Sequence, residues 1–176
     1  FVVRTRPLVL RTSLSYNADI PTGSGLGTSS AMNVVWLGLI SNILDKKEIA
    51  ETVYKIEQST GVVGGKQDQY SAALGGINFL EFKGDKVVRK PVNLNKKIII
   101  KLESCLLLVY TGKPRYSSLI NARIIKNLSK GQRTTIDALK IIKEIAGEMK
   151  GSLEASRMDR FARLMNEEWL NRKKLH

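Results

Sequence analysis

The run Gly23–Ser24–Gly25–Leu26–Gly27–Thr28–Ser29–Ser30 sets three glycines at alternate positions, then three hydroxyl residues, directly before an apolar stretch from Ala31 to Leu44. Glycine lets a backbone approach an anion closely and adopt positive φ. A helix opening at that point adds unpaired amides and roughly half a positive charge. The segment is therefore an anion cradle suited to phosphate, with Thr28, Ser29 and Ser30 able to cap the turn or face a magnesium ion. It lacks the lysine of a Walker A loop, and its G-x-G-x-G spacing differs from the dinucleotide fingerprint. A plain glycine turn with an N-capping serine is the alternative. Two carboxylates follow, Glu57 and Asp68, eleven residues apart. Phosphoryl transfer requires a phosphate cradle, a metal ligand and a group that orients or deprotonates the attacking hydroxyl. Loop, Glu57 and Asp68 would supply that set; a solvated Glu57 and a helix-capping Asp68 are the ordinary alternatives.

These residues need elements to hold them. Leu8–Tyr16 is rich in β-formers and runs into Asp19–Ile20–Pro21, the pattern of a strand feeding a turn. Ala31–Leu44 is apolar almost all round, which predicts a helix buried on most faces. Asp45 and Glu48 are spaced as a capping pair for a second helix, with Ile49, Val53 and Ile56 on one face and an end near Thr60–Gly61. Gly64–Tyr70 enters a short helix that Gly75–Gly76 would stop. Ile77–Phe82 reads as a strand, and Lys83–Gly84–Asp85–Lys86 as a hairpin turn into Val87–Val88–Arg89. Ile98–Ile100 and Leu106–Tyr110 are β-like runs. From Tyr116 the pattern is helical, with breaks expected at Lys130–Gly131 and Lys150–Gly151. A composition shift around 90–97 is the best candidate domain boundary.

Composition removes several chemistries. Among 176 residues the only cysteine is Cys105 and the only histidine is His176, so an internal disulfide, a cysteine-cluster zinc site and Ser-His or Cys-His catalysis are excluded. The net charge of +13, from 29 basic and 16 acidic residues, lies wholly beyond residue 82. There it is spread over helical patterns, and the aromatic-basic signature of an RNA-binding sheet is missing, so a solvated surface is favoured over nucleic acid. No apolar stretch reaches the roughly 18 residues a membrane span needs, and Phe1–Arg6 lacks a signal-peptide plan, so a cytoplasmic location is expected.

Pro21–Thr22–Gly23–Ser24–Gly25–Leu26–Gly27–Thr28–Ser29–Ser30–Ala31 resembles the P-x-x-x-G-L-G-S-S-A phosphate loop of the GHMP kinases, the galactokinase, homoserine, mevalonate and phosphomevalonate kinase superfamily. The Glu57 to Asp68 spacing is similar to that family's magnesium-binding glutamate and catalytic aspartate. Gly64–Tyr70, Tyr110–Arg115 and Glu168–Trp169 with Lys173–Lys174 resemble more narrowly its heptose-phosphate kinase and fucokinase-like branch. The resemblance implies an α+β fold, a mixed sheet with helices of the ribosomal S5 domain 2-like kind. Residues 1–95 would be the ATP-binding N-terminal domain, incomplete at its start, and 96–176 the beginning of a helical C-terminal domain, incomplete at its end.

It also implies transfer of a phosphoryl group from ATP, with Mg2+, to a sugar or sugar-phosphate hydroxyl, the anomeric one. Pro21, Gly23, Ser24, Gly25, Leu26, Gly27, Thr28, Ser29 and Ser30 would form the nucleotide loop, with Ser29 and Glu57 on magnesium. Asp68 would be the base, with Lys66 near enough to favour its charged form, and Gly65, Thr111, Gly112 and Arg115 would meet the substrate. The chain lacks the family's late glycine-rich motif, so a central fragment is expected, and a nucleotide- or sugar-binding module without transfer stands as the alternative, as does a non-sugar alcohol acceptor. The partner expected is a small sugar or sugar phosphate, not nucleic acid or membrane. Unpaired strand edges favour association, leaving a homodimer open.

Overall fold

The computed structural model describes residues 15–21, 23–113 and 117–175. The described chain is α+β, with seven helices and a two-stranded antiparallel sheet. Most of the strand expected over 8–16 lies outside the described residues, as do Thr22 and Arg115. Contacts divide the chain into two units, one of Phe1–Gly76 with Tyr110–Ser118 and one of Ile77–Val109 with Leu119–His176.

The first unit carries three helices packed on one another: α1 (Thr28–Ile40), α2 (Lys46–Ser59) and α3 (Gln67–Leu74). Their core is Val34, Leu37 and Val53, with Ile43, Ile49 and Ala73 against it. The all-round apolar pattern overstated α1 in two ways. It stops at Ile40 rather than Leu44, because Ser41 turns extended at φ −99° and ψ 166° while its N–H still bonds Leu37 O. Its far face is open, with Val35 and Leu39 about 60% exposed. Asp45 caps α2 as its spacing predicts, accepting from Lys47 N at 2.9 Å and Glu48 N at 2.8 Å. Asp45→Ala should cost about 1 kcal/mol, read as a lower urea midpoint at unchanged slope. The glycine stop after α3 is also present, Gly75 and Gly76 lying at φ +63° and +71°.

In the second unit β1 (Asn78–Lys83) pairs with β2 (Lys86–Pro91) from Asn78↔Pro91 to Lys83↔Lys86. Gly84 at φ +57° takes the first position of the two-residue turn. Ile98–Ile100 is not a strand: it lies in α4 (Lys96–Cys105), because Asn95 Oδ1 accepts from Ile98 N at 2.9 Å and caps a helix. Ile98 and Leu102, four apart, form its half-buried face. Leu106–Tyr110 has no ladder partner among the described residues, and Leu107 is 88% exposed. Three helices follow, α5 (Ser117–Ser129), α6 (Arg133–Glu154) and α7 (Met158–Arg172). The break at Lys130–Gly131 occurs, with Gly131 at φ +68°. The break at Lys150–Gly151 does not. The buried row Thr135, Ala138, Ile145, Ser152 and Leu153 carries α6 through Gly151, outweighing the roughly 1 kcal/mol a helical glycine costs. The chain turns instead at Ser156, in left-handed φ +57°, and α7 packs back on α6 with Leu164 fully buried.

Candidate functional site

The glycines of the loop do what their spacing suggests. Gly23, Gly25 and Gly27 sit at φ +76°, +78° and +70°, and neither Ser24 nor Leu26 between them has positive φ. Alternating handedness along a short backbone turns successive N–H groups toward one point, the geometry of an anion nest. Gly27 is also the N-cap of α1, which takes no side-chain cap. The first bond into the helix is Ala31 N to Gly27 O at 2.9 Å, so the helix itself offers no acceptor to the amides of Thr28, Ser29 and Ser30. Ser24 Oγ and Thr28 Oγ1 are buried without a hydrogen-bond partner among the described residues. A buried hydroxyl without a partner costs free energy unless something else occupies the site.

A cavity of about 570 Å³ opens over this loop. Gly23, Ser24, Gly25, Gly27, Thr28 and Ser29 line its polar end with Asp68. Its other wall is apolar, made by Tyr16, Met32, Val35, Trp36 and Leu39. Trp36, whose helical position suggests packing, meets Tyr16 edge to face at 6.1 Å between centroids. The exposed face of α1 is thus the wall of a cavity, which the hydrophobic pattern could not distinguish from core.

Asp68 stands at the second position of α3, directly against the loop. A Cβ built on Gly27 would lie 3.1 Å from Asp68 Cγ and 3.2 Å from its Cβ, so glycine is required there twice, for its φ and for this contact. Asp68 is exposed on its cavity side and covered on the other. That partial burial raises its carboxyl above the ordinary value, and the charge of Glu57 raises it further. Lys66 does not act on Asp68 in the expected way. Its ammonium pairs with Glu51 at 2.8 Å and lies over the Tyr54 ring at 4.8 Å, which ties it to α2.

Glu57 is only 7% exposed, in the last turn of α2. It accepts from Ser30 Oγ at 3.3 Å, Asn33 Nδ2 at 3.0 Å and Gln69 Nε2, and so joins all three helices behind the cavity. The hydroxyl on Glu57 is Ser30; Ser29, one residue earlier, is exposed and lines the cavity. Among the described residues no group of three or more His, Cys, Asp and Glu could hold a metal unaided. The Asp68 carboxylate, beside a Thr28 hydroxyl that has no partner among the described residues and a nest of amides, fits a divalent ion that arrives with phosphates.

Gly65 is exposed, and a Cβ there would run into the Gln67 side chain. Pro21 and Leu26 are exposed beside the nest. Thr111 and Gly112 are exposed and do not line the cavity. Residue spacing does not single out Asn33, Gln69, Glu51 or the wall residues Met32, Val35 and Leu39, whereas Trp36 could be read either as a ring-stacking or as a packing residue. The signal for Asn33 is its side chain, a lone amide three residues after Ser30, on one face of an otherwise apolar helix.

Residues 4–76 match the GHMP kinases N terminal domain. The chain is 35% identical over 170 residues to the D-glycero-alpha-D-manno-heptose 7-phosphate kinase of Campylobacter jejuni, covering 92% of this chain and 49% of that protein. It is 33% identical over 167 residues to the L-fucokinase/L-fucose-1-P guanylyltransferase of Bacteroides fragilis, covering 90% of this chain and 17% of that one. Glucuronokinase 1 of Arabidopsis thaliana is 24% identical over 160 residues, 88% of this chain and 44% of that protein. The chain therefore spans about half, or less, of the length of these relatives. With a left-handed glycine nest opening an apolar helix, an aspartate against its last glycine and these matches, residues 4–76 belong to the GHMP kinases N terminal domain family.

Proposed function

We propose that this chain is the catalytic core of an ATP-dependent kinase that phosphorylates a hydroxyl of a sugar or sugar phosphate, the anomeric one. The contact of Asp68 with Gly27 carries the proposal, because it sets a carboxylate beside the place where the nest would hold phosphate. ATP would bring the phosphoryl group, and Mg2+ would neutralise charge on its oxygens. The remaining work falls to the protein. The amides from Gly25 to Ser30 would hold the phosphates, Ser24 and Thr28 would give them hydroxyls, and Ser29 with Glu57 would hold the metal. Asp68 accepts a hydrogen bond from the acceptor hydroxyl and takes its proton as the new O–P bond forms and ADP leaves. Thr111, Gly112 and Arg115 are assigned to the acceptor on the strength of the resemblance. The excess positive charge is a solvated surface under this proposal, and the partner is a small molecule. Among the described residues no helix is long and apolar enough to cross a membrane.

Two experiments bear on it. Calorimetric titration with ATP and Mg2+, followed by an ADP-release assay over D-glycero-D-manno-heptose 7-phosphate, L-fucose and glucuronate, should show binding and turnover with one acceptor. Binding with no turnover would assign the chain to a non-catalytic module. Thr28→Val removes a hydroxyl that has no partner among the described residues. It should leave unfolding within about 0.5 kcal/mol of the parent. It should weaken ATP binding about tenfold, the loss of one hydrogen bond to a charged group. Unchanged affinity would show that Thr28 faces no ligand.

A further inference from the structure

Glu51 lies on α2, six residues before Glu57, and is not part of the cavity. Its carboxylate accepts from Lys66 Nζ at 2.8 and 3.1 Å and from Tyr70 OH at 3.0 Å. Lys66 and Tyr70 bracket Asp68 by two residues on each side. Four apart, they share one face of the first turn of α3, where Tyr70 N bonds Lys66 O at 3.1 Å. Two residues is a rotation of about 200° in a helix, so the face between them points the opposite way. That opposite face carries Asp68, against Gly27. We propose that Glu51 is a positioning residue: by gripping both neighbours of Asp68 it sets the rotation of α3 and aims the Asp68 carboxylate at the loop.

Both grips are built to last. The Lys66 side chain is 11% exposed, and Tyr70 is 4% exposed. Burial and the bond to Glu51 push the Tyr70 phenol up to about 12, so it remains a donor throughout the working pH range. Gln69, the residue between, bonds Glu57. Asp68 itself lines the cavity, so its aim depends on its neighbours. The catalytic part of this inference rests on the kinase proposal; the placement of Asp68 does not.

The test pairs a structural readout with a kinetic one. In the parent, the Gly27 Hα and Asp68 Hβ protons should show a nuclear Overhauser contact. Glu51→Ala should abolish it, and so should Lys66→Met, which keeps packing volume if the alanine variant folds poorly. In both, kcat should fall tenfold or more, in line with the roughly hundredfold cost of a 1 Å misplacement, while ATP Kd stays within about twofold. Glu51→Gln, which retains an acceptor oxygen for Tyr70, should recover part of the loss. In an Asp68→Asn background, Glu51→Ala should lower kcat no further, whereas a merely structural role would cost the same in either background. A folded Glu51→Ala or Lys66→Met protein that keeps the Gly27–Asp68 contact overturns the inference, as does a further kcat loss in the Asp68→Asn background. A parent inert toward every acceptor defeats the kinase proposal alone, and the proton contact still decides whether Glu51 holds Asp68 in place.

Discussion

Asparagine at position 68 should lower turnover by about a hundredfold, the lower end of what a general base contributes, while ATP binds within about twofold of the parent. The substitution keeps the shape that fits against Gly27 and removes only the charge and the proton-accepting oxygen. The loose transition state of phosphoryl transfer demands more positioning than proton abstraction, which places the effect at that lower end. The pH profile follows from the same carboxyl. Burial, then the charge of Glu57, raise its affinity for a proton, and only the ionised form can act as a base. Turnover should therefore fall as pH drops through a range above the ordinary carboxylate value of 3.8. Stability has the opposite slope from this group: a raised carboxyl binds its proton more tightly when folded, so its contribution diminishes as pH rises through that range. Glu57→Gln removes one of the two causes and should move the acid limb of turnover downward. A limb that stays in place would show that Glu57 does not act on Asp68.

Glu57→Ala should be the most destabilising change at the site, at about 3 kcal/mol or more. Three donors from two helices, Ser30 Oγ, Asn33 Nδ2 and Gln69 Nε2, converge on this one carboxylate. Each buried donor stripped of its acceptor costs about 1–3 kcal/mol, less whatever water recovers. Glutamine at 57 should cost much less, since its carbonyl oxygen still accepts and its shape is retained. Denaturant midpoints of parent, Glu57→Gln and Glu57→Ala should fall in that order. An alanine variant as stable as the parent would show that the junction of α1, α2 and α3 does not depend on Glu57.

Local features of this fold were legible and tertiary ones were not. The Asp45 cap, the Gly75–Gly76 stop and the Gly84 turn each depend on a few adjacent residues, and each stands as its spacing predicts. Ile98–Ile100 shows the limit of propensity: three β-branched residues favour a strand, but Asn95 caps them into a helix. Lys150–Gly151 shows the limit of punctuation, because a buried face can carry a helix through a glycine. At the site, the nest was legible from glycine spacing alone. Which of three adjacent hydroxyls meets Glu57 was not, since one residue turns a helical side chain by about 100°. Nor was the partner of Lys66, which lies fifteen residues back along the chain on α2.

Amide hydrogen exchange with and without ATP and Mg2+ would locate the nucleotide on the chain. Exchange at the backbone from Gly23 to Ser30 should slow on adding nucleotide, an effect lost or much reduced in Gly27→Ala, with α6 and α7 unaffected. Protection that falls elsewhere, or a loop whose exchange ignores saturating nucleotide, would contradict a phosphate site at the nest.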